Sequence, residues 1–311
     1  MRALLAFARS SSIGKILRQR ISSWPGNQNY PGNTRLHHTK AKVRCLLTFL
    51  SSTIRTTKIE RERLKSSKRQ KNRFLGKQVL VLGNGPSINE LDLLRVHNFK
   101  KRGGMIAVMN DFPLSTLAKE IIPNLYFVGD PEYWKGDESI LSEDLKNNIL
   151  IALSSINDLI IFQPNNRESL VPSKETIFFD HRSVAGLRRA SNPTKPWGLP
   201  ASIAMIAIAN CKYLGFSQIY FAGLDSTMYF NFIVNHINEL GFDSTRNYFD
   251  PEMSSLKQSV FFTTEWPVRN LADVHYAQAV FLSELKTLCN ENCINVGSDN
   301  TNDAAWRGCL I

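Results

Sequence analysis

The stretch Val79-Leu-Val-Leu-Gly-Asn-Gly-Pro-Ser87 decides the fold class of this 311-residue chain. Four aliphatic residues run directly into a turn that holds two glycines, and a helical pattern, Ile88–His97, follows. Glycine allows a sharp turn and a close approach of a ligand to the backbone. Ser87 is placed to cap the helix, whose free N–H groups attract a phosphate. The spacing matches neither the six-residue dinucleotide fingerprint nor the lysine-bearing phosphate loop. A phosphate-binding turn and a plain tight turn are therefore both open interpretations.

Short aliphatic runs recur beyond this stretch and are separated by helical patterns, which is typical of repeated strand–helix–strand units. The runs lack polar alternation, as expected of parallel strands covered on both faces. We therefore predict an α/β, Rossmann-like fold with a mostly parallel sheet and helices on both faces. The predicted strands are Val79–Leu82, Met105–Met109, Leu125–Val128, Ile149–Leu153, Thr176–Phe179, Ile219–Ala222 and Cys293–Val296. The predicted helices are Ile88–His97, a stretch after Pro131, Ala201–Leu214 and Leu271–Leu288.

The charge of the chain divides it near residue 75. The net charge is +11, but residues 1–75 hold 18 Lys and Arg against two acids, whereas the remainder holds 20 basic and 25 acidic residues. We predict a basic, partly helical N-terminal extension over residues 1–75 and a nucleotide-binding catalytic domain over residues 76–311. Within that domain the aromatic-rich segment 226–268 is a predicted lid or acceptor-side insertion. A mildly acidic catalytic domain argues against a nucleic-acid enzyme, which needs a basic groove.

The basic extension allows three interpretations. Apolar and basic residues of Met1–Trp24 recur at roughly helical spacing, and a second helical pattern spans Lys42–Lys71. The extension is a basic amphipathic helix on an anionic membrane surface, an organellar transit peptide, or a solvated segment without a partner.

No run in the chain approaches the roughly 18 apolar residues of a bilayer-spanning helix. The five scattered cysteines suit a reducing compartment. We therefore expect a cytoplasmic protein, peripheral on the inner face of the membrane under the first interpretation.

Polar residues follow three successive predicted strands, and they are Asn84, Asn110 and Asp130. Because the carboxyl ends of parallel strands meet at one edge of a sheet, where ligands bind, these side chains are expected in one crevice. Ser202 lies in the first turn of a predicted helix, where free N–H groups receive a phosphate or carboxylate. Asp225 follows a further strand, in a position suited to a ribose hydroxyl or a metal. Roles as caps and turn residues are the structural alternative.

The ordered motifs VLGNGPS, VMND, FVGDPEYW, GLPASIAMIAIANCKYLGF and IYFAGLD resemble the MptE-like domain. That domain occurs in archaeal 6-hydroxymethylpterin diphosphokinases and in bacterial motility-associated-factor glycosyltransferases. The chain is also similar to the family 42 sialyltransferases, which share the GNGPS opening and a Gly-(Ile/Leu)-Asp strand end. The resemblance covers roughly Lys77 to Asp225. It implies the Rossmann-like fold more specifically than it implies one activity.

The resemblance also implies nucleotide contacts. Asn84 and Gly85 would contact the phosphate and sugar of the nucleotide, within a turn that runs from Gly83 to Ser87. Asn110 matches the second-strand asparagine that helps to hold a cytidine nucleotide, and Asp225 matches the acid of the Gly-x-Asp turn. Ser202 falls near the Thr-Ser-Gly carboxylate site of the sialyltransferases.

Two residues are implied as catalytic. Asp130 falls where the sialyltransferases keep an asparagine, which is a departure from their pattern. His275 is the candidate for the general base, although it lies within a predicted helix rather than in the loop before it. A packing histidine in that helix is the alternative.

The leading functional hypothesis is a glycosyltransferase that moves a sugar, with a CMP-activated nonulosonic acid as the donor, onto a surface glycan or glycoprotein. The chain lacks a clear Asp-x-Asp at a strand end, and CMP leaves as a phosphate monoester, so this reaction requires no cofactor. The alternatives are a pyrophosphokinase that passes ATP phosphates to a pterin-type alcohol, and a non-catalytic nucleotide-binding protein. The kinase needs Mg²⁺, which Asp130 and Asp225 would hold. The expected partners are the donor, the glycan acceptor and an anionic membrane surface, but no nucleic acid.

Overall fold

Seven parallel strands form one sheet in the computed structural model, which describes residues 50, 53–130, 133–134, 143–182, 192–196, 203–224 and 292–296. The spatial order is β5-β4-β3-β2-β1-β6-β7, and every neighbouring pair is parallel. All strands therefore end at the same edge, which we call the carboxyl edge. The strands are β1 (Gln78–Leu82), β2 (Met105–Met109), β3 (Leu125–Phe127), β4 (Ile160–Pro164), β5 (Glu175–Phe179), β6 (Gln218–Ala222) and β7 (Cys293–Asn295).

Four helices whose bounds are described accompany the sheet, and local signals explain where two of them begin. Thr57 and Glu60 form a reciprocal capping box before the first helix, and Asp92 caps the second by accepting from the Leu94 N–H at 2.9 Å. No described helix is long and apolar enough to cross a membrane. The helices are α1 (Lys58–Lys68), α2 (Leu93–Lys101), α3 (Glu143–Ser155) and α4 (Ile203–Tyr213), and short 3-10 turns span Pro86–Glu90, Phe112–Leu114 and Thr116–Lys119.

The core consists of two layers, one on each face of the sheet. In β1, Val79 and Val81 face the layer that contains α4, whereas Leu80 and Leu82 face the layer that contains α2 and α3. Helix α4 is buried over nearly its whole length, which explains its uniformly apolar sequence. The predicted parallel α/β sheet, covered by helices on both faces, is therefore confirmed.

Two predicted elements are wrong, although the other described strands agree with prediction to within one residue. Residues Ile149–Leu153 belong to helix α3, where burial at Lys146, Ile149 and Leu153 follows a helical period. The strand that takes this place in the sheet is β4, which was not predicted. The predicted helix Ile88–His97 is split, because the chain extends at Leu91 between the 3-10 turn and α2.

Helix α1 covers the outer edge of β5. The Ser67 hydroxyl accepts a hydrogen bond from the Phe178 N–H at 2.8 Å and donates one to the Arg63 carbonyl at 3.1 Å. The Arg63 guanidinium donates to the carbonyl oxygens of Asn165 and Arg167 at 3.0 and 2.8 Å. Helix α1, which belongs to the predicted basic extension, is thus bound to β5 and to the segment that follows β4.

Candidate functional site

The strand order reverses beside β1, because the chain first builds the sheet outward from β2 to β5 and then returns to place β6 on the other side of β1. In open α/β sheets, ligands bind at the carboxyl edge where the order reverses. The turn after β1 and the turn after β6 meet at this point, so the predicted nucleotide turn lies at the expected ligand position.

The turn after β1 is fastened to the end of β6 by backbone hydrogen bonds. The Gly83 N–H donates to the Ala222 carbonyl and the Gly85 N–H donates to the Gly223 carbonyl, both at 2.8 Å. A Cβ atom on Gly83 would lie only 2.1 Å from the Gly223 carbonyl oxygen. Both turns therefore need glycine for their mutual contact, and these two N–H groups are engaged within the protein.

Ser87 does not cap a helix, so that prediction is wrong. The residue before the 3-10 turn is Gly85, and no side chain caps that turn. The Ser87 hydroxyl instead accepts from the Gly223 N–H at 2.9 Å. Ser87 thus holds the two strand-end turns together.

Asn84 and Asn110 present two buried acceptors at adjacent strand ends. Asn84 follows β1 and Asn110 follows β2, the strand paired with β1, so both residues lie at the carboxyl ends of neighbouring strands. The amide oxygens of both side chains are buried and have no hydrogen-bond partner among the described residues. A buried acceptor without a donor is costly, and such groups are rare in folded proteins. A ligand that brings hydrogen-bond donors would satisfy both oxygens.

Asp130 fixes the orientation of the Asn110 amide. The Asn110 Nδ2 group donates to the Asp130 Oδ2 atom at 2.7 Å. Because a carboxylate oxygen only accepts, the Asn110 nitrogen must face Asp130 and the Asn110 oxygen must face away. Asn110 also has a φ of +44°, a left-handed conformation that asparagine adopts more readily than most residues. The structure thus brings two of the predicted site residues into direct contact.

Two tyrosines support this pair, and sequence reasoning assigned no role to either. The Tyr126 hydroxyl donates to the Asn110 carbonyl at 2.7 Å, and the Tyr133 hydroxyl donates to Asp111, which is buried. Burial, together with the Asp111 carboxylate, raises the pKa of Tyr133 well above its ordinary value, so Tyr133 remains a donor. For Tyr126 the sequence signal was a tyrosine inside an otherwise apolar strand, since a buried hydroxyl needs a partner. Tyr133 lies outside the strands and gave no such signal.

A second polar cluster lies at the carboxyl ends of β4 and β5 and was also missed. The Asn165 side-chain oxygen accepts a hydrogen bond from the backbone N–H of His181 at 3.0 Å. The same oxygen lies 2.7 Å from the ring atom Nδ1 of His181. Nδ1 therefore carries the proton, and Nε2 is the acceptor nitrogen of the neutral ring. Burial lowers the pKa of His181 below its ordinary value of 6.5. Beside it, Arg182 Nε donates to the buried Asp180 carboxylate at 2.8 Å.

The remaining predicted site residues, Ser202, Asp225 and His275, lie outside the described residues, as do the predicted lid 226–268 and the predicted helix Leu271–Leu288. Helix α4 begins at Ile203, whose Cδ1 atom would lie 2.9 Å from a Cβ on Gly129. The start of α4 is therefore close to the carboxyl end of β3. Within the described ranges, no three His, Cys, Asp or Glu side chains come together as a metal site.

No family model matches the chain, and no curated protein matches its sequence. Among solved structures, it is similar to the MAf glycosyltransferase from Magnetospirillum magneticum AMB-1, with 13% sequence identity and a TM-score of 0.34. The match covers 53% of this chain and 27% of that chain, so the matched region is about a quarter of the length of that protein. At this similarity, the function has to be inferred from the site itself.

Proposed function

We propose that the chain is a glycosyltransferase that binds a nucleotide-activated sugar at the carboxyl edge of its sheet. The proposal rests on the buried amide oxygens of Asn84 and Asn110, which lie at the strand-order reversal and have no hydrogen-bond partner among the described residues. These oxygens accept hydrogen bonds only, so they recognise donors. Sugar hydroxyls and the exocyclic amino group of a base are donors, whereas ionised phosphate oxygens are acceptors. The pair therefore favours contacts to the nucleoside.

The donor class in this proposal is a CMP-activated nonulosonic acid, and the acceptor is a hydroxyl of a surface glycan or glycoprotein. This finer assignment depends on the resemblance of the GNGPS, VMND and Gly-Leu-Asp motifs to the family 42 sialyltransferases. The acceptor oxygen forms a bond to the anomeric carbon as the bond from that carbon to the CMP oxygen breaks. CMP leaves with the electron pair, and a base takes the acceptor proton. His275 is the proposed base, and Asp130 is proposed to stabilise positive charge that develops on the sugar.

Removing one of the two amide oxygens tests nucleotide recognition. Asn84→Ala should weaken the binding of CMP by roughly fivefold, the effect of losing one neutral hydrogen bond, without lowering thermal stability. Isothermal titration calorimetry measures the affinity. Asn98→Ala, a change at an exposed asparagine of α2, is the matched control and should leave the affinity unchanged. Equal CMP affinities for the wild-type protein, Asn84→Ala and Asn98→Ala would contradict nucleoside recognition by Asn84.

The residue at position 130 distinguishes glycosyl transfer from pyrophosphoryl transfer. Asn at this position matches the sialyltransferase pattern and can still accept from Asn110, so Asp130→Asn should lower transfer from a CMP-sugar, through loss of the carboxylate charge, without abolishing it. Turnover should survive EDTA. A pyrophosphokinase would need the Asp130 carboxylate for Mg²⁺, so the same variant would lose activity.

Before the variant is assayed, calorimetry should measure the binding of CMP, CDP, ATP and GTP to the wild-type protein, with and without Mg²⁺. Tight binding of ATP that requires Mg²⁺, with no binding of CMP, would overturn the glycosyltransferase in favour of the kinase.

A further inference from the structure

The amino ends of the strands form a second surface, at the opposite edge of the sheet from the candidate site. Because the strands are parallel, the segments that lead into β1, β2 and β3 lie side by side there. These segments are residues 68–77, 100–104 and 119–124, and we call them together the basic amino edge. A five-residue strand is about 17 Å long, so the basic amino edge is separated from the candidate site by roughly that distance.

Charge is concentrated on this edge, although residues 76–311 as a whole are mildly acidic. Segment 68–77 contains five Lys and Arg and no acid, and segment 100–104 begins Lys-Lys-Arg. Segment 119–124 adds Lys119 beside Glu120. Arg73 forms an ion pair with Glu175, but Lys68, Arg69, Lys71, Lys77, Lys101 and Arg102 have exposed side chains. The edge therefore carries a cluster of exposed cations, and part of that cluster lies within the folded α/β domain.

Two large aliphatic side chains project from the same edge. Leu75 is 74% exposed and Ile122 is 55% exposed. They lie in the segments before β1 and β3, which are two strand spacings, or about 10 Å, apart. Exposed aliphatic residues surrounded by cations match a bilayer, whereas aromatic platforms are typical of single-stranded nucleic-acid sites.

Both side chains are held by ordered backbone. On either side of Leu75, the Phe74 N–H donates to the Leu214 carbonyl at 2.8 Å and the Gly76 N–H donates to the Gly215 carbonyl at 3.3 Å. The Ile122 carbonyl accepts from Lys100 Nζ at 2.5 Å, and Ile121 is buried. The fold thus fixes Leu75 and Ile122 in exposed positions.

We propose that the basic amino edge docks on an anionic lipid bilayer, with Leu75 and Ile122 entering the headgroup region and the surrounding cations contacting lipid phosphates. Docking by this edge directs the carboxyl edge, and the candidate site with it, away from the membrane. The proposal concerns the folded domain, and it stands apart from both the proposed glycosyl transfer and the membrane interpretation of residues 1–24.

The test uses the full chain and vesicles of phosphatidylcholine with or without phosphatidylglycerol. Sedimentation should show binding to the anionic vesicles only. Each basic residue near an anionic surface contributes about 1 kcal/mol, so Lys101→Glu with Arg102→Glu should weaken partition at least about tenfold. Leu75→Ser with Ile122→Ser should weaken it as well, and because both residues are exposed, the fold should be retained by circular dichroism.

Lys58→Glu with Arg61→Glu is the matched control, since it changes the net charge equally at exposed positions of α1 near the other edge. The control variant should partition onto the vesicles within about twofold of the wild-type protein. At physiological ionic strength, exposed charges act only over a screening length of roughly 10 Å, so charges far from the docked surface contribute little. Hydrogen exchange on vesicles should slow at residues 71–77 and 119–123 but not at 83–87. Equal partition of both charge-reversal variants, or unchanged exchange at the basic amino edge, would overturn the proposal and leave residues 1–49 as the site of attachment. Tighter binding of an RNA hairpin than of anionic vesicles would overturn it in favour of a nucleic-acid surface.

Discussion

Gly83 and Gly223 face each other where β1 and β6 end, at a separation that leaves no room for a side chain. A Cβ on Gly83 would meet a backbone carbonyl at 2.1 Å, and backbone cannot move aside as the end of a flexible side chain can. Gly223 has in addition a φ of +71°, in the left-handed region that glycine adopts without strain. The sequence predicted a glycine turn here, but it did not predict that the partner of the turn is a second glycine 140 residues later.

Gly83→Ala should therefore destabilise the protein by at least about 3 kcal/mol, since the contact cannot relax without separating the two strand ends. Gly76→Ala is the control, because Gly76 has a φ of +80° but no atom within 4 Å of the added methyl group. That change should cost only the roughly 1–2 kcal/mol of a left-handed conformation. Urea denaturation measures both, and a smaller loss for Gly83→Ala than for Gly76→Ala would contradict the close contact.

His181 should make stability depend on pH. Its pKa is lower in the folded protein than the ordinary 6.5, because burial disfavours the charged ring more than Asp180 and Glu60 favour it. Below pH 6.5 the unfolded chain therefore binds more protons at this residue than the folded chain does, and the free energy of unfolding falls as the pH falls.

Between about pH 7.5 and about pH 5.5, the wild-type protein should lose more stability than His181→Gln does. Chemical denaturation at each pH measures the difference. His97→Gln, on helix α2, is the control for removing a histidine elsewhere in the fold. A His181→Gln curve that is parallel to the wild-type curve would show that this histidine does not titrate differently on folding.

The secondary-structure elements show where sequence patterns are ambiguous. The run Ile149–Leu153 is short, apolar and continuous, and such a run fits a buried strand as well as a helix. The neighbouring run at Ile160–Pro164 is a strand that ends in proline, and its fully buried position is set by β3 and β5 on either side. Asn165 follows this strand, so missing β4 also hid the polar cluster around His181. Asn84, Asn110 and Asp130 were identifiable because their strands were predicted correctly.

Helix α1 gives a direct test at this scale. Ser67→Ala removes the acceptor for the Phe178 N–H at the outer side of β5 and should cost about 1–2 kcal/mol. Ser66→Ala is the matched control, since Ser66 is exposed on the same helix, and it should change stability by less than about 0.5 kcal/mol. Amide exchange should become faster at Phe178 in the first variant only. Equal stability of the two variants would mean that α1 does not stabilise the edge of β5.

Among the described residues, exposed cations from three separate segments gather at the amino edge, whereas Asp111 and Asp130 lie at the carboxyl edge. Net charge by sequence segment did not predict this arrangement, because the fold brings together cations from residues 68–77, 100–102 and 119. The predicted boundary near residue 75 rested on charge and on the start of the strand–helix pattern at Lys77, and helix α1, which precedes it, contacts β5.

Truncation measures how far the folded unit extends toward the N-terminus. Removing residues 1–49 should preserve the thermal unfolding temperature, because α1 and its contacts remain. Removing residues 1–71 should lower it by several degrees, since the hydrogen bonds of Arg63 and Ser67 to the sheet region are lost. Calorimetry of both truncated proteins provides the comparison, and equal unfolding temperatures would contradict a stabilising role for α1.

The contact between α1 and β5 also has a consequence for biogenesis. The hydrogen bond between Phe178 and Ser67 joins residues that are 111 positions apart. During synthesis, α1 therefore leaves the ribosome well before the strand that it covers. Until β5 has been made and has paired with β4, Leu64 and Ser67 of α1 lack the surface against which they become buried. Docking of α1 is therefore a late folding step, and it covers the outer edge of β5.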